Sequence, residues 1–127
     1  MIVVDTSALI AIVKDEPKAL DCIEAIDKAD RVLISAGTLA EVLVVAERKD
    51  VWTTMSDFLR KLDLDVVAVD AKTARSVGQV YSVWGKGVHP ASLNFGDCFA
   101  YALAMEYKCP LLYVGKDFAQ TDIAAAI

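Results

Sequence analysis

Four carboxylates sit where an α/β chain would be expected to do chemistry. Asp5 directly follows a short β-branched run, Ile2-Val3-Val4, and Asp117 follows the run Leu111–Val114 by a few residues. Glu41 and Asp97 each fall in the first turn of an expected helix. If these ends converge on one edge, four acids share a pocket. Carboxylates that close repel one another and rise in pKa unless a cation lies among them. Hard oxygen donors of this kind suit Mg²⁺, with Mn²⁺ as a substitute. Such a site can activate water and stabilise a phosphoryl transition state. Each acid also has a plainer role. Asp5 is a good helix N-cap. Glu41 is the acidic half of a capping box with Thr38. Asp97 gains from a helix dipole, and Asp117 suits a turn. Thr6 and Ser7 offer hydroxyls near the same pocket, or N-cap the first helix.

The elements that must position these residues are legible as apolar runs separated by helical segments. The pattern predicts strands at 2–4, 32–34, 66–69 and 111–114. It predicts helices over 8–13, from Pro17 to about Ala29, from about Leu39 to Lys49, 52–62, 71–84, and from Asp97 to about Lys108. Pro17 suits the first position of its helix. The tail after Phe118 is expected to add a short helix or an edge strand. Strands apolar throughout, alternating with helices, indicate a parallel sheet covered on both faces. The expected fold is therefore a three-layer α/β/α sandwich with a central parallel sheet of four or five strands. It is read as one domain over residues 1–127. Sites in such sheets form beyond the carboxyl ends of the strands.

Composition excludes several classes. Of 127 residues, 56% are hydrophobic and 24% charged, which is too apolar for a disordered chain. The longest unbroken apolar run is Cys98–Met105, far short of the roughly 20 residues that span a membrane. Asp5 interrupts any signal-peptide reading. A soluble, cytoplasmic protein with no membrane partner is expected. Thirteen Lys and Arg face 18 Asp and Glu, a net charge of −5, whereas nucleic-acid coat proteins are usually basic. If this chain handles nucleic acid, something other than net charge, such as a divalent metal, must hold the phosphates. Cys22, Cys98 and Cys109 form no C-x-x-C pair and are expected to be reduced and buried. The high apolar fraction in a small chain favours self-association.

Four segments, in order, resemble the motifs of PIN-domain nucleases. They are Ile2-Val3-Val4-Asp5-Thr6-Ser7-Ala8-Leu9, then Ile34-Ser35-Ala36-Gly37-Thr38-Leu39-Ala40-Glu41, then Asn94–Ala104 around Gly96-Asp97-Cys98, and Leu111–Ile123 around Gly115-Lys116-Asp117-Phe118. The subgroup they look most like is the VapC-type toxin of bacterial toxin–antitoxin pairs. The resemblance implies a metal-dependent endoribonuclease whose core acids are Asp5, Glu41 and Asp97, with Asp117 completing the pocket and Asp122 as the alternative fourth acid. It implies an RNA substrate, products with 5′-phosphate and 3′-hydroxyl ends, a homodimer, and a cognate VapB-type antitoxin. In the family an arginine commonly plugs such a site, and a guanidinium can stand in for a metal's charge. The fourth motif often reads Gly-Asn-Asp-Phe in the subgroup. Here Lys116 replaces the asparagine, either to contact RNA phosphate or to weaken a second metal position.

Other residues carry less. His89, the only histidine, precedes Pro90 in a glycine-rich loop with no partner for nucleophilic catalysis and too few ligands for zinc. It reads as a surface loop residue, with RNA contact beside Lys86 as a weaker idea. Gly85-Lys86-Gly87 lacks the pattern of a phosphate-binding loop. Arg48-Lys49 and Arg60-Lys61 complement helix dipoles, or guide RNA. Two functions of other classes stay open. A receiver-like phosphoacceptor domain would use Asp70 and Lys116, but it wants an acidic pair after strand one, where Thr6-Ser7 follow Asp5. A catalytically silent metal-binding interaction module would bind metal without turnover.

Overall fold

The computed structural model describes residues 1–127. Strand β1 covers Ile2–Val4, and helices α1 (Thr6–Val13) and α2 (Ala19–Lys28) follow it. Strand β2 (Val32–Ser35) leads into α3 (Ala36–Arg48) and α4 (Trp52–Lys61). Strand β3 (Leu64–Val67), α5 (Ala71–Trp84), α6 (Phe95–Tyr107) and β4 (Leu111–Leu112) complete the order, with a 3₁₀ turn at Phe118–Gln120. The strands lie in the order β3-β2-β1-β4, all parallel.

Strand residues alternate between two cores, as period-2 geometry requires. Val3, Leu33 and Leu111 face one layer, packed by Val77 of α5 and by Ala100–Ala104 of α6. Ile2, Val4, Val32, Ile34 and Leu112 face the other, packed by Leu9, Cys22, Val42, Ala46 and Met55 from α1 to α4. Both faces of the sheet are thus covered, which gives the α/β/α sandwich that the apolar strands predict. All three cysteines are free and buried. No helix is long and apolar enough to cross a membrane.

Several boundaries differ from the sequence expectation: α1 starts at Thr6 because Asp5 is its cap, β4 ends at Leu112, and four others have a local reason. Helix α3 starts at Ala36, because Ser35 at the end of β2 is itself the cap: its Oγ accepts from the Gly37 N–H at 3.2 Å. Thr38 and Glu41 therefore form no capping box. Thr38 is instead fully buried in the helix, with its hydroxyl unpartnered. Helix α2 starts at Ala19, after a turn in which the Ala19 N–H donates to the Glu16 carbonyl. Strand β3 begins two residues early, since β2 pairs Val32 with Leu64 and Ser35 with Val67, and Asp70 is left to cap α5. Helix α6 starts at Phe95, capped by Asn94, so Asp97 is its third residue rather than its first. The sheet has four strands. The tail runs as an edge beside β4, with the Leu111 N–H donating to the Ala124 carbonyl and the Ala126 N–H to the Leu111 carbonyl.

Candidate active site

The carboxyl ends of β1, β2 and β4 open onto a cleft of about 300 Å³. Its wall holds Asp5, Thr6, Ser7, Glu16, Glu41, Lys49, Asn94 and Asp97 among eleven residues. Asp5 arrives from the end of β1, where it also N-caps α1: its Oδ2 accepts from the Ser7 N–H at 3.0 Å and the Ser7 hydroxyl at 2.6 Å. The same Ser7 Oγ accepts from the Val114 N–H at 3.0 Å, which ties the ends of β1 and β4 together. Glu41 arrives from the second turn of α3, and the Thr6 hydroxyl donates to its Oε1 at 2.5 Å. Its Oε2 fills the space beside Gly96 where a Cβ would stand, so that glycine lets α3 and α6 close around the acid. Asp97 arrives from the first turn of α6, where its Oδ2 accepts from the Asn94 N–H at 2.9 Å in a reciprocal capping box.

Burial and mutual repulsion shape the electrostatics. Asp5 is buried, and desolvation pushes its carboxyl from 3.8 up to about 6 against the pull of the Ser7 hydrogen bonds, with Glu41 adding repulsion. Desolvation likewise lifts Asp97 to about 7; the Asn94 N–H opposes this, while the charges of Asp5, Glu41 and Asp117 reinforce it. Asp5 Oδ1 is buried with no hydrogen-bond donor. A buried anionic oxygen without a donor is costly unless something positive approaches it. Three carboxylates with no nitrogen or sulfur ligand among them fit a hard divalent cation. As the side chains stand, no three carboxylate, imidazole or thiolate groups are gathered tightly enough to hold one. Each acid is turned instead to its own protein donor.

Of the four expected carboxylates, three line the cleft, and Asp117 stands off its wall. It is exposed, just past Gly115, whose φ of +116° suits glycine, and it acts on Asp97 only through its charge. Lys116 is exposed beside it and also off the cleft wall. Asp122 points elsewhere, accepting from the Tyr101 hydroxyl. Asp70 caps α5, accepting from the Thr73 N–H at 2.9 Å, and is likewise away from the cleft. His89 packs edge-on against Trp84 at 4.7 Å and accepts from the Ala91 N–H, a structural loop role. Asn94, which opens the third motif, gains its place through the N-x-x-D spacing to Asp97. Lys49, read from the sequence as a helix-dipole partner or an RNA guide, also lines the cleft. Glu16 escapes the sequence reading, because only the packing of the chain after α1 brings it there.

The PIN domain family model matches residues 2–124. Ribonuclease VapC30 of Mycobacterium tuberculosis is 41% identical over 132 residues, covering 96% of this chain and 95% of that protein. The crystal structure of Mycobacterium tuberculosis VapC20, described as a sarcin–ricin loop cleaving toxin, shares the fold with a TM-score of 0.79 at 15% identity, covering 98% of this chain and 97% of that one. A toxin–antitoxin complex from Klebsiella pneumoniae contains a chain with a TM-score of 0.71 at 20% identity, over 96% of this chain and 93% of its own. On the family match and the full-length relative, this chain belongs to the PIN-domain family, among its VapC proteins.

Proposed function

We propose that this chain is a divalent-metal-dependent endoribonuclease and the toxin of a bacterial toxin–antitoxin pair. One observation carries the reading: Asp5, Glu41 and Asp97, from three separate segments, line one cleft, and Asp5 buries an oxygen without a donor. Isolated structural acids would not be collected where each raises the cost of the others. The ribonuclease name of the VapC30 relative and the toxin–antitoxin origin of the Klebsiella neighbour support the same reading.

Asp5, Glu41 and Asp97 would hold Mg²⁺, or Mn²⁺ in its place, with Asp117 as a fourth acid from the rim. When bound, such a cation supplies the charge that activates water and offsets the negative charge developing at phosphorus. The chain's own residues do the positioning. Ser7 holds Asp5 by two hydrogen bonds, Thr6 holds Glu41, and Asn94 holds Asp97 at the start of α6. A cognate VapB-type antitoxin would neutralise the toxin by inserting a cationic side chain among these acids, and the toxin would act as a homodimer in the bacterial cytoplasm.

The test uses purified wild type and Asp97→Ala, each incubated with total bacterial RNA in Mg²⁺ or EDTA. Discrete cleavage that requires Mg²⁺ and falls at least about a thousandfold in a folded Asp97→Ala protein is the expected result. Cleavage that persists in EDTA or in Asp97→Ala overturns the assignment. A folded, Mg²⁺-binding wild type that cleaves nothing identifies a binding module instead.

A further inference from the structure

We infer that Lys49 positions the substrate by binding a backbone phosphate next to the one being cleaved; the inference rests on the ribonuclease reading above. Lys49 is the only positively charged residue on the cleft wall, which it shares with Asp5, Glu16, Glu41 and Asp97. Its ammonium pairs with none of them: the five ion pairs of the structure all lie elsewhere. The side chain is exposed at the C-terminal end of α3, free to meet a ligand. Beyond it the surface dips again, into a depression of about 410 Å³ bordered only by Val45, Arg48 and Lys49. A polyanion leaving the acidic cleft on this side therefore meets a cation first, then a second one.

Charge makes such a residue necessary. The chain carries −5 overall, and its cleft is lined by carboxylates. A phosphate flanking the reacting one gains nothing from those acids and is repelled by Glu16. Lysine serves this purpose as a mobile point charge with three donors. The other dibasic pair does not compete, since Arg60 is paired with Asp57 and Lys61 borders a different hollow beside Asp63 and Asp65. A lysine at a helix C-terminus also complements the dipole, so the test must separate RNA binding from helix stability.

The test compares wild type, Lys49→Ala, Lys49→Arg and Lys49→Glu, with Lys72→Ala on α5 as a control. Each is assayed for turnover of a single-stranded RNA in Mg²⁺ over a range of KCl, and for equilibrium binding of the same fluorescein-labelled RNA. Lys49→Ala is expected to raise KM and Kd about tenfold while kcat stays within about twofold. The slope of log kcat/KM against log KCl should shrink by about 0.7, one phosphate contact on a single strand. Lys49→Arg should restore most of the binding, Lys49→Glu should weaken it further, and Lys72→Ala should match wild type. Thermal melts should agree within about 2 °C, as for other exposed sites. An unchanged KM and salt slope in Lys49→Ala overturns the inference, as does a loss confined to kcat. If wild type binds RNA but never cleaves it, the ribonuclease reading fails, and the Kd and its salt slope still decide whether Lys49 holds phosphate.

Discussion

Asp5→Asn should stabilise the metal-free protein at pH 8 and do almost nothing at low pH. The ordinary aspartate value is 3.8, and burial lifts Asp5 to about 6. Below 3.8 both folded and unfolded chains carry the proton, so the group does not discriminate between them. Between 3.8 and 6 the unfolded chain releases its proton first, and folding stability falls as pH rises. Above 6 both states are ionised and the loss is complete. The rise corresponds to about 3 kcal/mol at 1.36 kcal/mol per pKa unit. Asparagine cannot ionise, and its carbonyl can still accept from the Ser7 N–H and hydroxyl that hold Asp5 Oδ2. Its amide nitrogen takes the place of the unpartnered Oδ1 without bringing a charge. The variant should therefore gain up to about 3 kcal/mol over wild type at pH 8, or roughly 10 °C in melting temperature for a chain of this length. Urea denaturation in EDTA at pH 4 and pH 8 measures the difference. A gap between variant and wild type that is equal at both pH values refutes the reasoning, since packing rather than ionisation would then set it. Adding Mg²⁺ at pH 8 should narrow the gap by stabilising wild type alone.

Two further substitutions probe the supports of the acids. Gly96→Ala places a Cβ onto Glu41 Oε2 and must expel that carboxylate. A loss of cleavage of about a hundredfold with the helical circular dichroism retained is expected, and wild-type turnover would show that Glu41 is dispensable. Asp122→Ala removes the acceptor of the Tyr101 hydroxyl and should cost about 1–2 kcal/mol in urea unfolding with turnover unchanged. Asp117→Ala, assayed beside it, should lower turnover instead, and the reverse pattern would exchange the two acids' roles.

Strands β1, β2 and β4 were legible because each is buried on both faces, as Val3 and Val4 show by entering opposite cores, whereas β3 carries the exposed Asp65 and Val66. Helix starts were less so. Ser35 ends a strand and begins a helix at once, and a linear pattern offers Thr38 as an equally good cap. The limits of β3 depend on where β2 stops pairing, which no residue of β3 encodes. In the candidate site, Asp5 and Asp97 stand at a strand end and a helix start and so announce themselves, while Glu41 was read one turn too early because α3 begins at Ala36. Asp117 and Asp122 are both plausible by spacing. What separates them is Tyr101, 21 residues away from Asp122, which takes that acid's oxygen. Lys49 lies at the far end of a helix whose first half holds Glu41, so its place on the cleft wall follows from how α3 packs between α1 and α6.

The cleft sets folding against function in a way the magnitudes decide. Ser7, Thr6 and Asn94 supply the donors that keep three acids facing one space, at about 0.5–3 kcal/mol per hydrogen bond to a charged or neutral group. The Ser7 bonds pull Asp5 down and the Asn94 bond pulls Asp97 down, yet the two still end near 6 and 7, so desolvation wins over local hydrogen bonding. The protein is therefore least stable, near neutral pH, in the ionised state that binding a cation requires. A ligand that binds only the folded chain returns about 2.7 kcal/mol at a hundred times its Kd. That matches the roughly 3 kcal/mol cost of ionising Asp5. On this arithmetic a cation near full occupancy offsets the cost of the buried acid, and a guanidinium inserted in its place would do the same while excluding RNA. Lys49 stands outside this balance, pairing with no acid, which is the position a residue needs if its charge is to be kept for phosphate.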